Sequence, residues 1–183
     1  MGAHDGAMLD ALSEFEPTAF AGDAWRVTRK GFDPLRGSTA RGRWSAGPDI
    51  EVVYTSQERD GALAEIGFRL SLEPVWPSRM EHEIHTLGVA TTHTLKLVDF
   101  AALEKLGVDT ARYQGFDYSQ TSAVSAAAHF LDFDGLIVSS ARSNCQHLVL
   151  FKDRIKNLKL TLSAPVDWAQ WRKQLTKGHS SLI

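Results

Sequence analysis

Residues 41–70 read RGRWSAGPDIEVVYTSQERDGALAEIGFRL, passing from loop to strand to helix. Glu51–Thr55 (EVVYT) is β-branched and aromatic, the composition of a strand. Ser56 follows directly, placed to cap a helix with Glu58 in its first turn. Ala62, Leu63, Ile66 and Leu70 then recur at helical spacing, and Glu65 sits on the flank of that apolar stripe. Upstream, Lys30–Gly47 is rich in Gly, Ser and Arg and reads as irregular chain. Connections of that length are often functional.

Working outward, residues 7–16 (AMLDALSEFE) predict a short helix with Met8, Leu9, Leu12 and Phe15 on one side, closed by Pro17. Ala24–Thr28 reads as a strand, as do Glu83–Leu87 and His93–Asp99. Phe100–Leu106 reads as a helix ended by Gly107, and Ser119–Phe130 as an alanine-rich helix capped by Ser119 or Thr121. Gly135–Ser139 and His147–Phe151 are strongly apolar strands. A last strand at Leu158–Leu162 precedes a helix at Asp167–Leu175. Strands and helices interleave without a regular βαβ rhythm, which predicts the α+β class.

The 183 residues fit one domain with terminal decorations. A formal charge of -2 supplies no basic excess for a phosphate backbone, and the basic stretches at Arg36, Arg41 and Arg43 are short, so direct nucleic-acid binding is not expected. One cysteine, Cys145, excludes an internal disulfide and suits a reducing cytoplasm. It has no evident activating base and reads as inert. The start, MGAHDGAMLD, lacks a basic and an apolar signal region, and no apolar run is long enough to span a membrane. The expectation is a cytoplasmic protein.

The chemistry concentrates between Arg41 and Glu65. Arginine, at Arg43, offers a planar fork for a diphosphate. Tyr54 offers an aromatic face with a hydroxyl at its tip. Glu65 offers a negative charge for a developing sugar cation. Together they suit cleavage of an N-glycosidic bond beside a diphosphate. The plain readings are a solvated loop charge for Arg43, cross-strand packing for Tyr54 and a surface carboxylate for Glu65.

Four segments carry a resemblance to RES-domain proteins, the toxin partners of Xre-type antitoxins, from about Ala24 to Phe151. They are WRV (25–27), GRW with Gly47 and VVYTS (52–56), ALAE (62–65), and GLIVSSAR (135–142) followed by HLVLF (147–151). The resemblance implies an ADP-ribosyltransferase-like α+β fold, with two small mixed or antiparallel sheets around an NAD cleft and flanking helices. It divides the chain into an N-terminal helical extension (1–23), the NAD-cleaving domain (24–152), and a C-terminal strand and helix packed on the same domain (153–183).

The implied activity is toxin chemistry: cleavage of NAD at the nicotinamide–ribose bond, with ADP-ribose passed to phosphate or water. Modification of a cellular protein by mono-ADP-ribosylation is the alternative, and a non-catalytic nucleotide-binding module is a second. NAD is then a substrate, and no cofactor is implied. Carried over residue by residue, Glu65, Arg43 and Tyr54 are the catalytic set, with Arg26, Arg43, Tyr54 and Ser140 holding NAD. Ser139 stands where relatives have proline, which leaves open whether Ser139 or Ser140 faces the pocket. Arg26 and Ser140 also have plain readings, as a strand-edge charge and a strand-end hydroxyl.

Other motifs carry less. His82 and His85 in EHEIH are separated by two residues rather than the three a zinc helix needs, so no metal is expected and the histidines are read as exposed. Ser125 and His129 share a helix face by ordinary spacing. Trp44 reads as packing that fixes its loop. The N-terminal helix and the Trp168/Trp171 helix read as core packing or as docking surfaces. No dinucleotide-fold glycine motif or Walker loop occurs.

Overall fold

In the computed structural model, which describes residues 5–179, the elements follow in the order α1 (Gly6–Ser13), β1 (Thr18–Arg29), β2 (Val52–Ser56), α2 (Arg59–Ser71), β3 (His82–Leu97), α3 (Phe100–Lys105), α4 (Ser119–Phe130), β4 (Gly135–Ser139), β5 (Gln146–Phe151), β6 (Asn157–Pro165) and α5 (Trp168–His179). A turn of 3-10 helix at Thr110–Arg112 lies between α3 and α4. The irregular alternation is that of an α+β fold. The first four residues of the MGAHDGAMLD start and the last four of the 153–183 segment lie outside the described residues.

All six strands form one sheet, ordered β1-β2-β5-β4-β3-β6, and a further pairing of β1 with β3 closes it into a barrel-like ring. This corrects the expectation of two separate small sheets. The sequence reading breaks the chain at residues 88–92 (GVATT), but these small and β-branched residues continue the strand, and β3 runs unbroken for 16 residues. Both of its edges are filled. One carries β1 antiparallel, from Arg29↔His82 to Thr18↔Thr94. The other carries β6 antiparallel over Glu83–Ala90, then β4 parallel over Thr94–Leu97. β1 accordingly begins at Thr18 rather than Ala24, because pairing with β3 recruits residues whose composition is not strand-like.

β5 lies between β2 and β4, antiparallel to both. β1, by contrast, meets β2 only at Trp25↔Ser56. Beyond that bridge the two strands part, and the sheet opens.

Alternation along the inner strands feeds two cores. Leu136, Val138, Val149 and Phe151 face α1, α3 and α4, packing with Leu12, Leu103, Val124 and Ala128. Ile137, Leu148 and Leu150 face the other way, against Ala24, Leu87 and Val89. Fully burying each large side chain contributes about 1.5–3 kcal/mol, and Leu136, Leu148, Leu150 and Phe151 are all completely buried. A third cluster joins Ala62, Leu63 and Leu70 of α2 to Val27, Ile84 and Trp168. Leu12 of α1 and Trp168 of α5 thus belong to the core.

Several local readings change. Ser56 ends β2, and its hydroxyl accepts from the Glu58 amide at 3.2 Å rather than capping the helix. α2 begins at Arg59 with Glu58 in the cap position and no side-chain cap. Neither Ser119 nor Thr121 caps α4; Tyr118 holds that position. His82 and His85 are buried, not exposed. His82 Nδ1 accepts from the Trp168 indole at 3.1 Å, and His85 bonds Thr28 and Ser163 at 2.9 and 2.8 Å. Each polar ring is satisfied by neighbours from another element, which spacing along one strand does not reveal. Among the described residues no cluster of His, Cys, Asp and Glu is placed to hold a metal, and no helix is long and apolar enough to cross a membrane.

Gly61 sets how closely α2 packs. A Cβ there would stand 2.2 Å from Cys145 Sγ and 2.5 Å from Ser56 Oγ. Alanine favours a helix over glycine by about 1 kcal/mol, but overpacking costs about 1–3 kcal/mol. Gly61→Ala is therefore expected to lower the melting temperature despite its better helix propensity, a sign that thermal denaturation reads directly.

Candidate functional site

Where β1 and β2 part, the 30–47 loop, α2 and the segment after β4 enclose a cavity of about 810 Å³. That size lies within the range of small-molecule sites, roughly 300–1,000 Å³. Its charge is unlike that of the whole chain. Arg26, Arg29, Arg36, Arg41, Arg43, Arg69 and Arg142 line it, against Asp33, Glu51 and Glu65. The basic residues that looked scattered in sequence converge: Arg26, Arg43 and Arg142 are half-buried and Arg29, Arg36, Arg41 and Arg69 are exposed, an excess of guanidinium groups that attracts a multiply charged anion. Arg26, Arg43, Tyr54 and Glu65 all line this cavity, and Ser140 touches it through Glu65.

Glu65 projects from α2 and is partly buried. Its Oε1 accepts from Ser140 Oγ at 3.1 Å and from His147 Nε2 at 3.0 Å. A carboxylate only accepts, so His147 Nε2 carries the proton. Burial pushes the Glu65 pKa up, but the hydrogen bond and charge of His147, the Ser140 bond and the nearby Arg142 guanidinium outweigh it. The net result lies below the usual glutamate value. Oε2 makes no hydrogen bond among the described residues and stays available.

The serine segment is built to present Ser140. Its hydroxyl accepts from the backbone amides of Arg142 and Ser143 at 3.0 and 3.1 Å while donating to Glu65. Ser139 is the serine that lines the cavity, but its hydroxyl donates to the Val98 carbonyl at 3.2 Å. Ser140 is thus the one whose hydroxyl is aimed at the carboxylate.

Arg43 lies over the rings of Tyr113 and Tyr118, 4.8 and 5.1 Å from their centroids, and donates to the Gly115 carbonyl at 3.1 Å. Burial lowers its pKa, but guanidinium groups start so high that the charge persists at neutral pH. Arg26 Nη1 donates to the Pro34 and Arg36 carbonyls at 2.9 and 2.8 Å, so it braces the arginine-bearing loop as well as lining the cavity. The Tyr54 hydroxyl is buried without a well-formed hydrogen bond, and burial raises its pKa, keeping it protonated. A Cβ at Gly42 would stand 2.8 Å from that hydroxyl, which is why the loop crosses Tyr54 with a glycine. Trp44 is buried as expected, its carbonyl held by Ser125 Oγ at 2.8 Å. His129 pairs with Asp153, so Ser125 and His129 share no bond.

His147 and Arg142 are the residues the sequence reading left without a role. His147 is the second residue of β5, 82 positions from its carboxylate partner. Arg142 ends the SSAR run, and its guanidinium lies 3.7 Å from the Phe68 ring centroid. Only the SSAR and HLVLF segments flagged the region, and neither names a partner.

The RES domain profile matches residues 23–171. The chain belongs to the RES-domain family. This RES-domain protein is 26% identical over 149 residues to proteins named NAD(+) phosphorylase MbcT from Mycobacterium bovis and Mycobacterium tuberculosis, covering 78% of this chain and 80% of each relative. Its fold matches the crystal structure of the M. tuberculosis MbcT–MbcA toxin–antitoxin complex with a TM-score of 0.80 at 21% identity, over 93% of this chain and 98% of that one.

The Glu65 pairing in this RES domain makes two electrostatic predictions. His147→Ala removes one donor while leaving burial in place, so the Glu65 pKa should rise, as read from side-chain carboxyl chemical shifts during titration. Because the folded pKa lies below the unfolded one, Glu65 stabilises the fold above its unfolded pKa. That stability is lost as the pH falls through the folded value. Melting temperature against pH should therefore show a shallower acid decline in Glu65→Gln than in wild type.

Proposed function

We propose that this RES-domain protein is the toxin of a bacterial toxin–antitoxin pair that cleaves cytoplasmic NAD at the nicotinamide–ribose bond and passes ADP-ribose to phosphate. We read the fold as ADP-ribosyltransferase-like, with NAD lying in the gap between β1 and β2. The observation that carries the reading is a carboxylate, Glu65, held ionised on one oxygen at the wall of an arginine-lined cavity. The MbcT name of the relatives supports phosphate as acceptor. The matched complex supports an antitoxin partner, of the Xre type by the sequence resemblance.

In this mechanism the arginines take the diphosphate, Arg43 foremost, with Arg26 assisting and keeping the loop in place. Tyr54 orients the nicotinamide against its ring. The free Oε2 of Glu65 faces the nicotinamide ribose. As the C1′–N bond lengthens, positive charge spreads over C1′ and the ring oxygen, and the carboxylate stabilises it. The bonding pair leaves with the pyridinium nitrogen, which becomes neutral, so the leaving group needs no proton. Ser140 and His147 prevent the carboxylate from protonating or turning away.

Purified protein given NAD and phosphate should release nicotinamide and ADP-ribose 1-phosphate, identified by mass spectrometry. ADP-ribose alone would identify a glycohydrolase, and labelling of an added protein with otherwise stable NAD would identify a transferase. NAD that stabilises the protein against heat without being consumed would identify a binding module. Glu65→Ala should lower kcat by about a hundredfold or more with little change in the KM for NAD, because its charge acts in the transition state. Arg43→Ala should raise that KM instead.

A further inference from the structure

A phosphate that attacks C1′ must approach beside Glu65, whose negative charge repels it. A phosphorylase therefore needs a cation near that carboxylate that is not already committed elsewhere. Arg43 and Arg26 are given to the NAD diphosphate in the reading above, and part of each guanidinium already holds backbone carbonyls, Gly115 for Arg43 and Pro34 and Arg36 for Arg26. Arg142 is differently placed. It lines the same cavity and is near enough to both Glu65 and Arg43 to lower the pKa of each. Its side chain forms no ion pair or hydrogen bond among the described residues; its contacts are the rings of Phe68 at 3.7 Å and Phe116 at 5.7 Å. An aromatic face occupies the flat side of a guanidinium and leaves its N–H edges free to take two oxygens of an oxyanion in plane. The two rings stack at 6.4 Å, and Phe116 is exposed at the rim. The backbone amide of Arg142 also bonds the Ser140 hydroxyl that holds Glu65, which ties the backbone of the cation-bearing residue to the carboxylate's own support.

We infer that Arg142, steadied on Phe68, binds the acceptor: inorganic phosphate, beside Glu65 and separate from the arginines that take the NAD diphosphate. The inference rests on the phosphorylase reading above. In the step itself a phosphate oxygen of HPO4 2− forms the bond to C1′ as the C1′–N bond breaks with its electron pair going to nicotinamide. The product phosphomonoester keeps the phosphate proton, which it later loses to solvent. Water in the same place would have to give up a proton, which phosphate does not require.

The test uses the full chain with NAD and inorganic phosphate, comparing wild type with Arg142→Gln and Arg142→Lys, each checked for a wild-type-like melting curve. We expect Arg142→Gln to raise the KM for phosphate by about tenfold or more, the scale of one lost charge-assisted contact, while the KM for NAD moves little. Its product should shift from ADP-ribose 1-phosphate toward ADP-ribose at fixed phosphate. Arg142→Lys, which keeps the charge but not the fork, should fall between. A raised KM for NAD with an unchanged KM for phosphate overturns the assignment, as does a variant matching wild type in both. If Arg142→Gln does not fold, the same split is read in Arg142→Lys. Wild-type turnover indifferent to phosphate overturns the phosphorylase reading itself, and the acceptor site with it.

Discussion

Along its 16 residues β3 is paired on one edge with β1 from His82 to Thr94, and on the other with β6 from Glu83 to Ala90 and then β4 from Thr94 to Leu97. Backbone N–H and C=O groups buried in a sheet must be paired, and this strand satisfies its own while joining the first strand to the last. Closure has a geometric consequence. β1 pairs with β3 from Thr18 to Arg29 but meets β2 at only one residue pair, Trp25↔Ser56. The ring is therefore complete but incompletely zipped, and the unzipped stretch becomes the wall of a cavity rather than more sheet. β5 holds β2 over its whole length on the other side, so the gap does not collapse.

Into that gap the loop, α2 and the serine segment deliver charge. A polypeptide with a formal charge of -2 surrounds one cavity with an excess of cations by bringing together arginines spread from position 26 to 142. Packing rings against the guanidinium faces lets them sit close to one another, since Arg43 and Arg142 each have aromatic partners. One carboxylate in the same enclosure, Glu65, is kept ionised by two donors on a single oxygen. A fixed anion set among cations is suited to an ionic substrate whose reacting sugar turns positive while its phosphates stay negative, the pairing that the proposed NAD cleavage requires.

Much of this was legible beforehand because it is local. The apolar runs at 135–139 and 147–151 mark doubly buried strands, and the Ala62, Leu63, Ile66, Leu70 spacing marks α2. The GRW segment was visible as part of the family resemblance, but the reason for its glycine was not: Tyr54 lies against Gly42. What failed is non-local. Residues 18–23 are strand because of their partner rather than their composition, and residues 88–90, though they include a glycine, are held in β3 by partners on both edges. His85 is buried and satisfied by Thr28 and Ser163, strands apart. No periodicity along one chain segment encodes such pairings.

Glu65 divides along the same line. Its residue type, its place on a helix flank after a strand, and its membership in an ALAE segment resembling the RES family are properties of the sequence alone. The sequence also determined the α+β class, since helix and strand periods are set by residues a few positions apart. Only the tertiary structure decided that Ser140 and His147 hold the carboxylate, that Ser139 turns to Val98, and that Arg142 stands beside it on Phe68. Hydrogen bonds and charge effects act over a few ångströms, and those distances exist between residues 75 and 82 positions apart only after β3 has closed the sheet.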